Sequence, residues 1–486
     1  MEATVVHSES ATRLTALRPP TEQIFLTAAV SCLGWALDLY DLLILLYVAP
    51  VVGRLFFPAS EPLLSLAAVF ASFAVSLIMR PLGSALFGSY ADRRGRKRAL
   101  TLAVSMVGVA TFLLGVLPTI QQIGIAAPII FVLLRLVQGI FVGGVTACTG
   151  TVGVEAVPDR WRGLMSGVVG GGGGGIGGML AAFVFWITTS CMSNAEYEQW
   201  GWRILFFTSI LSSFMGFMVA RKLEESPVWT ALAEVKQLRG GTPGRSPLSL
   251  LFSKQHFRGF LANLPLIIAA GAGYYLTSGY LPSYLKVALH LPNEKVSVIL
   301  SVASIAALCA SLFVGHMSQV FGRRSVFLGI GVFRLLALPA CCLLMTKTDN
   351  LLLLCLLAAL FGSCGNAAYA PLLVFLNERF PTTMRATGVG FSWSVGFAIG
   401  GMAPTFTVLA ARTPAQLPIS LTAFLVGTSI LYLIGGLLVP ETRGQLDGVD
   451  RLSPPHRERN QTNVTSDQRR CSGLQSRYDT GSNPIP

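Results

Sequence analysis

Apolar runs of about 20 residues, the length an α-helix needs to cross the hydrocarbon layer of a bilayer, alternate with short polar connectors from near residue 24 to near residue 438. Hydrocarbon offers backbone N–H and C=O groups no partners, and runs of this length do not suit barrel strands, so each reads as a spanning helix. The pattern predicts spans over roughly 24–49, 63–88, 99–118, 127–150, 164–188 and 202–220. A second series follows over 259–284, 295–316, 325–346, 350–375, 386–410 and 418–438. The expected fold class is therefore all-α and integral to the membrane, with twelve transmembrane helices. The longest connector, 221–258, is rich in Gly, Pro, Ser and charge and reads as the linker between a six-helix half over 24–220 and another over 259–440. Residues 1–23 lack the apolar core of a signal peptide, so they read as an N-terminal segment ahead of a retained first span. Residues 441–486 have too few apolar side chains to build a core and are expected to be disordered.

The two halves echo each other. Glu155, Pro158 and Arg162 recur 223 positions later as Glu378, Pro381 and Arg385, and Ile176-Gly177-Gly178-Met179 recurs in the same register as Ile399-Gly400-Gly401-Met402. Gly88, Gly95, Arg96 and Lys97 align with Gly315, Gly322, Arg323 and Arg324 at an offset of 227. Parallel repeats of six spans place a pathway at the interface between them.

Composition supports the membrane reading: 52% of the 486 residues are hydrophobic, only 12% are charged, and the mean hydropathy is +0.63. That is more apolar surface than one soluble core buries. The net charge of +13 would suit a nucleic-acid partner if it were clustered for one, but the bases lie in alternate loops, at Arg93 to Arg98, Arg160 and Arg162, through 221–258, and at Arg323, Arg324, Arg379 and Arg385. The opposite loops hold mainly Arg54, Lys286, Lys295, Lys347 and Arg412. By the positive-inside rule the basic loops and both termini are cytoplasmic, in a plasma or inner membrane, and no nucleic-acid partner is expected. Nine cysteines form no disulfide framework or metal spacing, and five histidines are scattered. No metal, cofactor or enzymatic centre is therefore expected.

Charges inside spans are costly and normally face a cavity or a partner. Asp38 and Asp41, at i and i+3 in the first span, share one helix face, and two close carboxylates in a low dielectric suit a proton-coupling site. Either acid can equally serve to neutralise a basic neighbour. Arg135 in the fourth span presents a fork that matches a carboxylate, whether that of a substrate, that of Asp41, or that of a purely structural partner. Arg334 in the ninth span is a lonelier candidate. Asn366, Tyr369, Tyr274, Tyr275 and Tyr280 offer amide and hydroxyl contacts, although aromatic side chains also anchor spans. The run Gly170 to Gly175 lacks the Lys of a phosphate-binding loop and reads as a surface for close helix contact.

Gly88-Ser89-Tyr90-Ala91-Asp92-Arg93-Arg94-Gly95-Arg96-Lys97 resembles the signature loop of the major facilitator superfamily. Arg80-Pro81-Leu82-Gly83, Gly201-Trp202-Arg203 and Glu225-Ser226-Pro227 are similar to its metabolite:proton and sialate:proton symporter branches. Arg135-Leu136-Val137-Gln138-Gly139 resembles the family pattern Arg-x-x-Gln-Gly, which adds Gln138 to the substrate and proton candidates. The resemblance implies a gating role for Arg80, Gly88, Asp92, Arg93, Gly95, Arg96 and Lys97. The second copy has Gln319 in place of Asp92, so a weaker latch is expected there. Glu155 with Arg162, and Glu378 with Arg385, can fasten the cytoplasmic loops of each half. Family antiporters carry a Gly-Pro pair in the fifth span, which this chain lacks. The implied activity is proton-coupled uptake of a small organic anion by alternating access, with a monomer sufficient. Proton-driven efflux of an amphipathic or drug-like compound is the alternative within transport, and a non-transporting sensor is the alternative outside it.

Overall fold

The computed structural model describes residues 21–222 and 247–446, apart from Gly95, Gly150, Ala156, Thr382 and Thr383. Among the described residues twelve long helices run in chain order: α1 (Thr21–Phe56), α2 (Pro62–Arg94), α3 (Arg96–Val116), α4 (Ala126–Thr149), α5 (Asp159–Cys191) and α6 (Trp202–Lys222). They are followed by α7 (His256–Ala288), α8 (Asn293–Phe321), α9 (Arg323–Met345), α10 (Leu351–Arg379), α11 (Arg385–Ala410) and α12 (Leu417–Leu438). Eleven of them are long and apolar enough to cross a membrane among the described residues, and α6, 21 residues long, fills the sixth place. Large apolar side chains such as Leu211, Phe313, Leu336, Leu352 and Ile419 stand exposed on the outer faces, where lipid rather than water is their solvent.

Helix packing repeats with a shift of six. Helix α2 packs on α4 as α8 does on α10, α3 on α6 as α9 on α12, and α1 on α5 as α7 on α11. Between the halves the same rule holds, since α2 packs on α11 and α8 on α5. The glycines of α5 explain the second contact. A β-carbon at Gly163 would lie 2.6 Å from the Gly315 carbonyl oxygen of α8, and one at Gly167 would lie 2.5 Å from that of Ser311. Only a bare backbone permits that approach. Over Gly167–Gly172 the helix opens into a π-helical turn, which is a common local adjustment where a helix must shift its register.

Contacts join the two halves at both ends of their interface. At the end carrying the basic loops, Ser166 of α5 donates to the Ala370 carbonyl at 2.5 Å and accepts the Val374 N–H at 3.0 Å. At the far end the Lys286 ammonium of α7 lies 4.5 Å from the centre of the Phe185 ring and 5.4 Å from that of Tyr197. Asn293 donates to Asn194 beside it at 3.1 Å. Of the expected linker, 223–246 lies outside the described residues, and the Pro247–Leu251 stretch is a short helix. Residues 447–486 of the expected tail also lie outside them. Residues 441–446 are tied down by hydrogen bonds to α9, α10 and α11.

Candidate functional site

Helix α4 reaches the centre of the first half through its glycines. A β-carbon at Gly139 would lie 2.0 Å from the Ser76 carbonyl oxygen, and one at Gly143 would lie 2.2 Å from that of Arg80, so α4 and α2 touch backbone to backbone. This contact brings Arg135 and Gln138 against the face of α2 that carries Ser76 and Arg80. Helix α1 is enclosed by protein over 94% of its apolar window, so its acids face neighbouring helices and not lipid. Asp38, Asp41, Arg80, Arg135 and Gln138 consequently line one narrow cleft, together with Phe73.

Within the cleft, Arg80 Nη2 donates to Asp38 Oδ1 at 3.5 Å, and both side chains are almost fully buried. Arg135 is 1% exposed. Its Nη1 donates to Gln138 Oε1, its guanidinium lies 5.8 Å from the centre of the Phe73 ring, and its Nε has no partner among the described residues. Asp41 and Arg80 are both within electrostatic reach of Arg135. Two acids and two guanidiniums give the ionised cluster a net charge of zero. Such a balance is what makes four buried charges tolerable, because an uncompensated one costs several kcal/mol. Arg80, which the signature loop suggested as a gate residue, sits inside this cluster.

A second narrow cleft lies between the halves and is lined among others by Leu43, Tyr47, Gly174, Ser278, Ser304 and Asn366. Tyr369 donates to Asn366 Oδ1 at 3.0 Å, and Asn366 Nδ2 donates to Ser278 Oγ at 3.1 Å. Gly174 leaves room for this pair, since a β-carbon there would sit 2.0 Å from the Tyr369 hydroxyl. A layer of rings joins the halves next to it: Trp35 of α1 meets Trp393 edge-on at 5.1 Å, and Trp393 stacks on Phe397 at 4.4 Å. The motif reading missed both tryptophans, because an aromatic residue in an apolar run carries no signal of its own. Arg334 joins neither cleft. It is buried in the second half, 4.9 Å from the centre of the Tyr432 ring, with Nε and Nη1 unpartnered among the described residues.

The residues at the basic end pair differently from the expectation. Arg385 donates to Glu155 of the other half at 3.0 Å, Arg162 pairs with Asp159, and Glu378 accepts from Arg323 at 2.9 and 3.2 Å. The Glu155–Arg385 pair therefore ties one half to the other. Gln319 is a bridge too, accepting from Arg323 at 2.8 Å and from the Gly163 N–H at 3.2 Å. Gly88 lies in α2 with open space where a β-carbon would point, and the Lys97 carbonyl accepts from Thr101 at 2.8 Å. Gly95 and the side chains of Asp92, Arg93 and Arg96 lie outside what is described.

Glu441 caps this end. Its carboxylate accepts the N–H groups of Arg323 at 2.8 Å, Arg324 at 3.0 Å and Arg443 at 3.0 Å, so it satisfies the first turn of α9. Gly322 makes the approach possible, with φ at 93° and no side chain to strike Glu441. Burial alone would raise the Glu441 carboxyl, but these backbone donors hold it below the usual glutamate range. A group with a lowered folded-state pKa stabilises the fold above its unfolded pKa and loses that contribution as pH falls through the folded one. Glu441→Ala is therefore expected to cost about 1 kcal/mol at neutral pH, the low side of a helix-cap loss because the side chain is partly exposed. Thermal unfolding in detergent checks this: the gap between variant and parent should narrow below about pH 4.5.

A sequence model described as Major Facilitator Superfamily matches residues 24–404, and again 264–461. The chain belongs to this superfamily. Similar relatives include the proline/betaine transporter of Escherichia coli K12, 29% identical over 416 residues, which span 84% of this chain and 82% of that protein. An inner membrane metabolite transport protein of the same strain is 30% identical over 421 residues, 85% of this chain and 94% of its own. In fold, this major facilitator resembles a proton:xylose symporter solved with 6-bromo-6-deoxy-D-glucose. The TM-score is 0.71, the match covers 89% of this chain and 100% of that one, and identity is 17%. The molecule is a multi-pass membrane transporter, not an enzyme.

Proposed function

We propose that this transporter imports a small carboxylate-bearing solute together with protons. The halves over 24–220 and 259–440, joined by 221–258, would rock around the central clefts, with the basic end and both termini in the cytoplasm. A single chain holds both clefts, so a monomer suffices. The observation that carries the reading is the convergence of Asp38, Asp41, Arg80 and Arg135 on one buried cleft. With all four ionised the cluster is neutral; a substrate carboxylate on the Arg135 fork adds one negative charge, and one proton on Asp41 restores the balance. Charge neutrality thus couples one proton to one carboxylate, because an excess buried charge is the costly state. Asn366 and Tyr369 would contact the rest of the solute from the second half, and the pairs at the basic end would open and close access.

A second reading, in which the cargo is zwitterionic, is favoured by the charge balance of the cluster and by relatives named proline/betaine transporters. The two readings separate electrically. A monoanion moving with one proton carries no net charge, whereas a zwitterion moving with one proton gains about 2.3 kcal/mol per 100 mV of inside-negative potential. The test is uptake into proteoliposomes of labelled mono- and dicarboxylates, sialic acid, proline and betaine, with and without an inward proton gradient and an imposed potential. Gradient-driven accumulation of one carboxylate anion, insensitive to the imposed potential, is the expected result. Absence of any accumulation, with gradient-dependent extrusion of amphipathic dyes instead, would replace import by efflux.

A further inference from the structure

We infer that Thr111 of α3 is a positioning residue that sets the direction of the Arg135 fork by fixing the orientation of the Gln138 amide. The inference rests on the reading of Arg135 as the carboxylate clamp. Thr111 is fully buried, and its hydroxyl has one proton to give, which goes to the Val107 carbonyl at 2.9 Å. Toward Gln138 it can then only accept, and Gln138 Nε2 donates to Thr111 Oγ1 at 2.5 Å. An amide that spends its NH2 on Thr111 must turn its oxygen the other way, toward Arg135 Nη1, which donates to it. The chain of donors runs from Arg135 through Gln138 and Thr111 to the α3 backbone, and every link has a forced direction.

Without the hydroxyl acceptor, the buried Gln138 NH2 loses its hydrogen bond and the amide is no longer held in place between Thr111 and Arg135. The amide oxygen still faces Arg135, which can only donate, but an amide that shifts to find its NH2 a new partner carries that oxygen, and the guanidinium bonded to it, away from the present direction. Both clamp and orienter are buried, with Gln138 2% exposed, so solvent does not supply a substitute acceptor. The effect reaches the cargo through the geometry of a two-pronged hydrogen bond, which tolerates little misalignment.

The test measures cargo KM and Vmax in proteoliposomes for Thr111→Val, Thr111→Ala and Thr111→Ser, beside Arg135→Gln and the Thr111→Val/Arg135→Gln double variant. Removal of the acceptor in the Val and Ala variants is expected to raise KM about 10-fold, with Vmax within about twofold of the parent. Thr111→Ser should restore the parental KM, and Thr111→Val should add nothing once Arg135 is gone. A parental KM in Val and Ala while Arg135→Gln raises it would overturn the inference and leave the clamp standing. So would a rise in Ser as large as in Val, which would make side-chain volume rather than the acceptor the cause. An unchanged KM in Arg135→Gln would instead remove the clamp itself.

Discussion

Arg135→Gln is expected to raise the KM for the carboxylate cargo by about 30- to 100-fold, corresponding to a lost charge-assisted hydrogen bond of about 2–3 kcal/mol. The site makes the loss large because Arg135 is buried, with its Nη1 donating to Gln138 and Asp41 within electrostatic reach, so a substrate carboxylate would meet its charge where solvent does not screen it. Arg135→Lys keeps the charge but not the fork, and should fall between the two, at about 10-fold. Concentration dependence of initial uptake measures all three. A KM in Arg135→Gln equal to that of the parent would assign Arg135 to holding the cluster together and nothing more.

The second large effect concerns the acids, to which the proposed mechanism gives different roles. Asp38 already holds Arg80 at 3.5 Å, so Asp38→Asn leaves a buried guanidinium without its partner and should destabilise the protein by about 3–5 kcal/mol. Its signature is loss of folded protein. Asp41→Asn is different: it makes permanent the neutral form that loading is proposed to require. With a gradient of two pH units, one coupled proton supports about 100-fold accumulation, and Asp41→Asn should reduce this to simple equilibration. Exchange of labelled for unlabelled cargo across the membrane should continue. Steady-state accumulation and counterflow in the same vesicles distinguish these outcomes, and retained accumulation in Asp41→Asn would move the proton site elsewhere.

The long elements were legible because lipid imposes their length. Each expected span contains a long helix, and the repeat read from Glu155 to Arg162 and Glu378 to Arg385 reappears as a packing pattern that advances by six helices. Placement along a helix was harder to see. Arg80 stands near the signature loop in sequence, yet α2 continues to Arg94, and at 1.5 Å per residue that distance buries Arg80 about 20 Å from the helix end, beside Asp38. Pairing between helices was not legible either. The repeat suggests that Glu378 holds Arg385, whereas the ends of the two halves meet and give Arg385 to Glu155. Asp38, Asp41, Arg135 and Gln138 announced themselves because polar groups are costly in an apolar run. Thr111, Trp35 and Trp393 are cheap to bury, so only their neighbours in space reveal what they touch.

The central claim is that one proton neutralises each carboxylate bound beside Arg135. Its most direct test records proton entry with a trapped pH dye and cargo entry with label in the same proteoliposomes, for the parent and for Asp41→Asn. The account predicts one proton per carboxylate in the parent and cargo movement without proton movement in Asp41→Asn. Proton entry that persists at the parental ratio in Asp41→Asn, or cargo entry without protons in the parent, would contradict it.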